Sequence, residues 1–294
     1  MYLLAGISCR GTSSQHGLNE YKEELYIHKK GLISRQSILM KEQINELIKE
    51  TEIYVIHAIK GYEYQEEYVK SLFAEYNLNF TFVYDGDPSL TNREILKNYF
   101  SEEFIDSASV GGMSCTLNHM FAYRKLIESN SRYALVFEND PCFLPNFTKN
   151  LNRVYSEIEQ LPRGFIISIE NTTLTFPSFF QMRKNKVFYR ADSGRMAGAY
   201  VIDRKVAEKA IEDLQLNKCS DIIDWWHNRL ISRNVLDMYW AHPPLVEQGS
   251  HNGKMSGSLS AKEKSISRRL RWLARKYYRL YILRIINERR VIEK

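Results

Sequence analysis

The chain has 294 residues, 44% hydrophobic and 26% charged, ordinary for a globular enzyme and enough for one large core or two modest ones. It contains no run of 18 apolar residues, so no membrane span is expected, and the opening MYLLAGISC lacks the basic segment with which a signal peptide begins. The net charge of +6 is uneven: residues 261–294 carry 12 Lys and Arg against three Glu, which leaves −3 on the rest and excludes a generally basic, nucleic-acid-binding body.

Cys9, Cys115, Cys142 and Cys219 are far apart and form no CxxC pair, which suits reduced thiols of a cytoplasmic protein better than a disulfide or zinc framework. Residues 1–50 are an N-terminal extension of unclear role, with helical spacing of Ile38, Ile44, Leu47 and Ile48 and a possible alternative start at Met40. From Ile53, IYVIH is a strand, Glu63 to Tyr76 a helix, and FTFVYD a second strand ending at Asp85 before the turn Gly86-Asp87-Pro88. This is a βαβ unit, expected to be right-handed.

An acidic stretch to Ser109 and the pair Gly111-Gly112 precede a helix predicted from about Ser114. Next comes YALVFEND, Tyr133 to Asp140, whose apolar part reads as a strand buried on both faces. Glu138, Asn139 and Asp140 follow it, and Pro141 prevents the strand from continuing. Carboxylates at the carboxyl end of a central strand lie where open α/β sheets bind ligands, and hard oxygen donors there suit Mg²⁺ or Mn²⁺. The competing reading is that they only end a strand.

A helix from Asn146 to Gln160, the strand GFIISIE, an aperiodic segment from Asn171 to Asn185, and the strands KVFYR and GAYVID come next. The aperiodic segment, with Phe176, Phe179 and Phe180, is either a lid over an acceptor or a packed loop. The helix RKVAEKAIEDL, a helix carrying Asp224, Trp225 and Trp226 behind Ser220 or Asp221, and the strand VLDMYW complete the pattern. The alternation predicts one α/β domain over 51–258 with a mostly parallel sheet. Over 259–294 a basic amphipathic helix is expected, with Ile266, Leu270, Leu273, Tyr277 and Tyr281 on one stripe and Arg268, Arg271, Arg275, Lys276 and Arg279 largely off it. Such a helix either binds an anionic membrane surface or packs its stripe on the body with a solvated basic face.

Five segments in order resemble glycosyltransferase family 25, which includes bacterial lipooligosaccharide galactosyltransferases. They are IYVIH with FTFVYDGD; GGMSCTLNH, with Asn118 where Ser is usual; LVFENDP, with Asn139 in place of the middle acid; RMAGAYVIDRKVAEKAI; and Asp224 before a Trp pair with HPPLVEQGS. The resemblance implies a GT-A-like fold, a UDP-sugar donor, a Mn²⁺ or Mg²⁺ ion, inversion, and transfer of a sugar, galactose by family expectation, to a lipid-linked or oligosaccharide acceptor.

The metal ligands are expected to be Asp140, in the last position of the family's Asp-x-Asp-like element, and Glu138; His251, by its position alone, completes the metal site or contacts the diphosphate, and the expected donor contacts are His57, Asp85, His119, Glu138 and Arg195. Asp224 is the expected base for the acceptor hydroxyl and Asp221 the fallback; helix capping is the alternative for Asp224, a satisfied structural role for His119, and a surface position for Arg195. The location expected is cytoplasmic, peripheral on the inner face of the cytoplasmic membrane. A non-catalytic glycan- or partner-binding relative is the rival reading, and nucleic acid is not an expected partner.

Overall fold

The computed structural model describes residues 48–256, 265–283 and 285. In chain order its elements are β1 (Thr51–Ile56), α1 (Glu63–Glu75), β2 (Thr81–Val83), α2 (Arg93–Lys97), α3 (Glu102–Ser107), α4 (Val110–Glu128), β3 (Tyr133–Glu138) and β4 (Pro141–Phe143). There follow α5 (Phe147–Ile158), β5 (Phe165–Ser168), β6 (Phe188–Ala191), β7 (Ala199–Asp203), α6 (Arg204–Leu216), α7 (Ile223–Ser232) and β8 (Asp237–Ala241). Last come β9 (Val246–Gln248), α8 (Gly249–Asn252), α9 (Ile266–Tyr277) and a π-helical segment, Tyr278–Leu283.

Seven strands form one sheet in the order β2-β1-β3-β7-β5-β8-β6. Five point the same way, while β7 runs against both its neighbours and β6 against β8. The sheet is therefore mixed, a refinement of the mostly parallel expectation that strand composition does not reveal, because β7 is as apolar on both faces as β3 and β5 on either side of it. Helices cover both faces. Ala134 and Val136 of β3 join a cluster with Leu117, Tyr123, Val206 and Trp226, whereas Leu135 and Phe137 join another with Phe73, Leu151 and Val154.

Strand β3 leaves this sheet at Glu138, and Pro141 opens a second, two-stranded sheet in which β4 pairs antiparallel with β9. Pro141 thus both ends one strand and heads another, a position where its missing N–H costs little. The polar stretch before α4 holds two short helices, capped by the side chains of Asn92 and Ser101. Helix α4 begins four residues earlier than its apolar spacing suggests, because Ser109 caps it by accepting from the Gly112 N–H and so draws the glycine pair into the first turn. The helix expected over 37–50 lies largely outside the described residues, as does the C-terminal helix beyond 285.

Leu135 is fully buried at the centre of β3. Leu135→Ala is expected to lower stability by about 2–5 kcal/mol, read as a drop in the urea midpoint at unchanged slope.

Candidate active site

The chain runs from β1 to β2 on one side and returns through α4 to β3 on the other, so the sheet order reverses between β1 and β3. A crevice opens above the carboxyl ends of strands at such a reversal. A cavity of about 370 Å³ lies there, lined by Ile56, His57 and Ala58 after β1, Lys60 and Tyr62, Asp87 to Ser89 after β2, the first turns of α4 through Cys115 and Asn118, and Glu138 with Asn139 after β3.

Two buried side chains hold these loops in place. Asn118 accepts from the Gly86 N–H at 2.6 Å and donates to the His57 carbonyl at 3.1 Å, which fixes the ends of β1 and β2 against α4. Gly86 is needed there, since a Cβ would lie 2.9 Å from that of Leu117. Asp87 accepts from the Ile59 N–H and from both the N–H and hydroxyl of Ser89, tying the same two loops together. His57 meets the Asn139 amide at 3.2 Å, and burial holds its ring below the ordinary histidine pKa, with Glu66 opposing.

The acidic end of β3 is built by a late segment of the chain. Gln248 lies across Gly198, where a Cβ would come within 2.4 Å of its side chain, and donates to Glu138 Oε2 at 2.8 Å. Glu138 keeps 26% of its side chain exposed at the cavity wall. Burial and then the Asp140 charge push its carboxyl up to about 8. Asp140 is buried, with Oδ2 accepting from the Ser250 N–H and Oδ1 left without a partner. Asp224, in the first turn of α7, is raised to about 7 by burial and then by Glu138, and its Oδ1 also has no partner.

The expected residues separate into groups. His57 and Glu138 line the cavity. Asp85 instead pairs with Lys125 at 3.3 Å, and the cavity takes Asp87 two residues on. His119 is fully buried behind the wall, its Nδ1 2.7 Å from the Tyr200 hydroxyl, and burial lowers its ring pKa to about 3. Arg195 is no surface residue: it is fully buried, donates to the carbonyls of Ser168 and Ala241, and stacks on Trp240. Its guanidinium braces the ends of β5 and β8 and does not line the cavity. Asp221 is taken up by Arg229 at 2.5 Å. His251 is exposed on α8 and does not line the cavity.

Lys60, Tyr62, Asp87 and Gln248 receive no role from the sequence. The first two lie just past IYVIH; Asp87 and Gln248 stand inside FTFVYDGD and HPPLVEQGS, but no local signal shows that Asp87 and not Asp85 reaches the cavity, or that β9 pairing brings Gln248 to Glu138.

The model of glycosyltransferase family 25, described as an LPS biosynthesis protein, matches residues 33–223. The chain belongs to glycosyltransferase family 25. A search among curated proteins returned no match. In this family 25 glycosyltransferase the matched span includes every residue that lines the cavity, and ends one residue before Asp224.

Asn118→Ala strands the buried Gly86 N–H, a loss of about 1–3 kcal/mol. The expected outcome is a lower denaturation midpoint together with weaker binding of the sugar donor, because the loops carrying His57 and Asp87 are released; unchanged binding would detach Asn118 from the site.

Proposed function

We propose that the protein transfers a sugar from a UDP-sugar, with inversion, to a lipooligosaccharide or other surface glycan, galactose being the family-level expectation for the sugar. The observation that carries this is the cavity at the sheet reversal, whose volume lies in the range of small-molecule sites and which ends at Glu138 with Asp224 nearby. Tyr62 offers a ring for the base, Asp87 and Ser89 offer polar groups for the ribose, and Lys60 with the amino end of α4 offers positive potential for the diphosphate. This arrangement fits the GT-A type of sheet expected for the family.

In this reading Asp224 is the base that removes the acceptor proton. Its carboxyl, held near neutrality and lacking a partner at Oδ1, is ready to accept one. Glu138 faces the donor sugar from the cavity wall. A divalent cation, Mn²⁺ or Mg²⁺, belongs to the same reading. Glu138 and the partnerless Oδ1 of Asp140 are the oxygens that would hold it, and when bound it would offset the charge of the departing diphosphate. His251 follows Ser250, whose N–H binds Asp140, and so stays a candidate third ligand.

The rival, a non-catalytic glycan-binding member, is favoured by Asn139, which spends its amide on His57 where the family carries an acid. Turnover of any UDP-sugar excludes it.

The C-terminal helix supports placement on the inner face of the cytoplasmic membrane. Arg268 and Arg279 donate to the carbonyls of Ser250 and Thr173, and Arg269 and Lys276 pair with buried Glu247 at 3.2 and 2.5 Å. Burial works against the Glu247 charge, but these cations outweigh it and hold its carboxyl below the ordinary value. These four cations therefore face the body together with buried Trp272, while Ile266, Leu270, Tyr277 and Tyr281 of the apolar stripe are turned outward at 54–81% exposure and Leu273 is half-buried. Exposed Arg271 and Arg275 flank them, each worth about 1 kcal/mol near an anionic leaflet.

Three measurements test the proposal. Asp224→Asn is expected to abolish transfer while UDP-sugar binding persists, and the wild-type rate should fall as pH drops through about 7, since a base must be unprotonated. A flat profile with an active variant overturns that role. Asp140→Asn should abolish transfer in a folded protein; wild-type turnover would remove Asp140 from the metal reading. Finally, the chain should float with vesicles containing anionic lipid, and Leu270→Glu with Tyr281→Glu should release it, whereas equal flotation of the variant would count against the helix.

A further inference from the structure

Cys115 and His119 are one turn apart on α4 and so share a face. Strand β3 brings Glu138 to that same face. The Cys115 Sγ, a ring nitrogen of His119 and a Glu138 carboxylate oxygen all lie within 4.8 Å of one another, with His119 Nε2 3.9 Å from Glu138 Oε1. His119 is fully buried, yet its Nε2 has no hydrogen-bond partner, a situation that ordinarily costs about 1–3 kcal/mol. Cys115 and Glu138 both line the cavity, so a solute ion has a route in. Among the described residues no Lys or Arg forms an ion pair with Glu138, Asp140 or Asp224, although these acids act on one another and on Cys115.

We propose that Cys115, His119 and Glu138 form a binding site for a thiophilic divalent cation, with Zn²⁺ as the occupant. The donor set decides the ion: sulfur and imidazole suit Zn²⁺ and its relatives, whereas Mg²⁺ and Mn²⁺ favour oxygen. A thiolate and a carboxylate together balance a 2+ charge. Three protein ligands are the number that leaves a tetrahedral ion one open position, and here the ligand group adjoins the donor cavity.

The outer shell is also in place. With the Nε2 lone pair turned to the ion, the proton sits on Nδ1 and is donated to the Tyr200 hydroxyl, which is itself engaged with Tyr123. The site shares Glu138 with the Mn²⁺ or Mg²⁺ reading but substitutes sulfur and nitrogen for Asp140. It rests on the packing of α4 against β3 and stands whether or not sugar transfer is observed.

The test uses the full chain, stripped with a chelator and titrated with Co²⁺. A near-ultraviolet thiolate-to-cobalt band saturating at about one equivalent, and bleached by Zn²⁺, is expected. Cys115→Ser should remove the band and Tyr200→Phe should weaken Co²⁺ binding roughly 10–100-fold, while Asp140→Asn leaves the band in place. No band in the folded wild type, or a band that survives Cys115→Ser, overturns the proposal. X-ray absorption of the Zn²⁺-loaded wild type gives a check free of variants: one sulfur with imidazole nitrogen supports the site, and an all-oxygen shell refutes it.

Discussion

Strand β3 is packed on both faces, so its interior admits no charge, and polar chemistry can begin only where the strand leaves the sheet. That happens at Glu138, next to the end of β1 and at the point where the order of strands reverses. The cavity, the acidic cluster and the sulfur–imidazole pair all depend on this one exit. Ending β3 here also frees the chain to start β4, whose pairing with β9 returns Gln248 to Glu138 from a distance of 110 residues in sequence.

Helix α4 is the second organising element. Its amino end opens on the cavity, Asn118 fastens the two neighbouring loops, and Thr116 links the helix to the start of α7 by accepting from the Ile223 N–H at 2.9 Å. One rigid helix therefore positions groups that come from β1, β2, β3 and α7. The buried polar side chains along it carry that registration at little risk of sliding, since a displaced Asn118 or Thr116 leaves unpaired donors in the interior.

The C-terminal helix follows a different logic. Arg268, Arg269, Lys276 and Arg279 gain more from buried Glu247 and from part-buried backbone carbonyls than from water, so these cations turn inward and Ile266, Leu270, Tyr277 and Tyr281 are left outside. A helical stripe of apolar residues is usually taken to mark the packed face; here four of its five residues are exposed and only Leu273 is half-buried. Phe179, 58% exposed, shares a cavity with Leu280 and Tyr281 and so adds to this apolar surface.

The sequence by itself determined the alternation of strands and helices, the double-sided burial of β3, the acidic end at Glu138 to Asp140 and the family, because periodicity and contiguous motifs are local properties. It did not determine the direction of β7, the burial of Arg195, the replacement of Asp85 by Asp87 at the cavity, or the face on which the C-terminal helix packs. Each of these is set by partners far away in the chain: β3 and β5 for β7, Glu247 for the helix, Ser168 and Ala241 for Arg195, Lys125 for Asp85. Which side chain meets which across such separations is decided by tertiary packing and by the cost of leaving a polar group unpaired in the interior, and no local pattern records it.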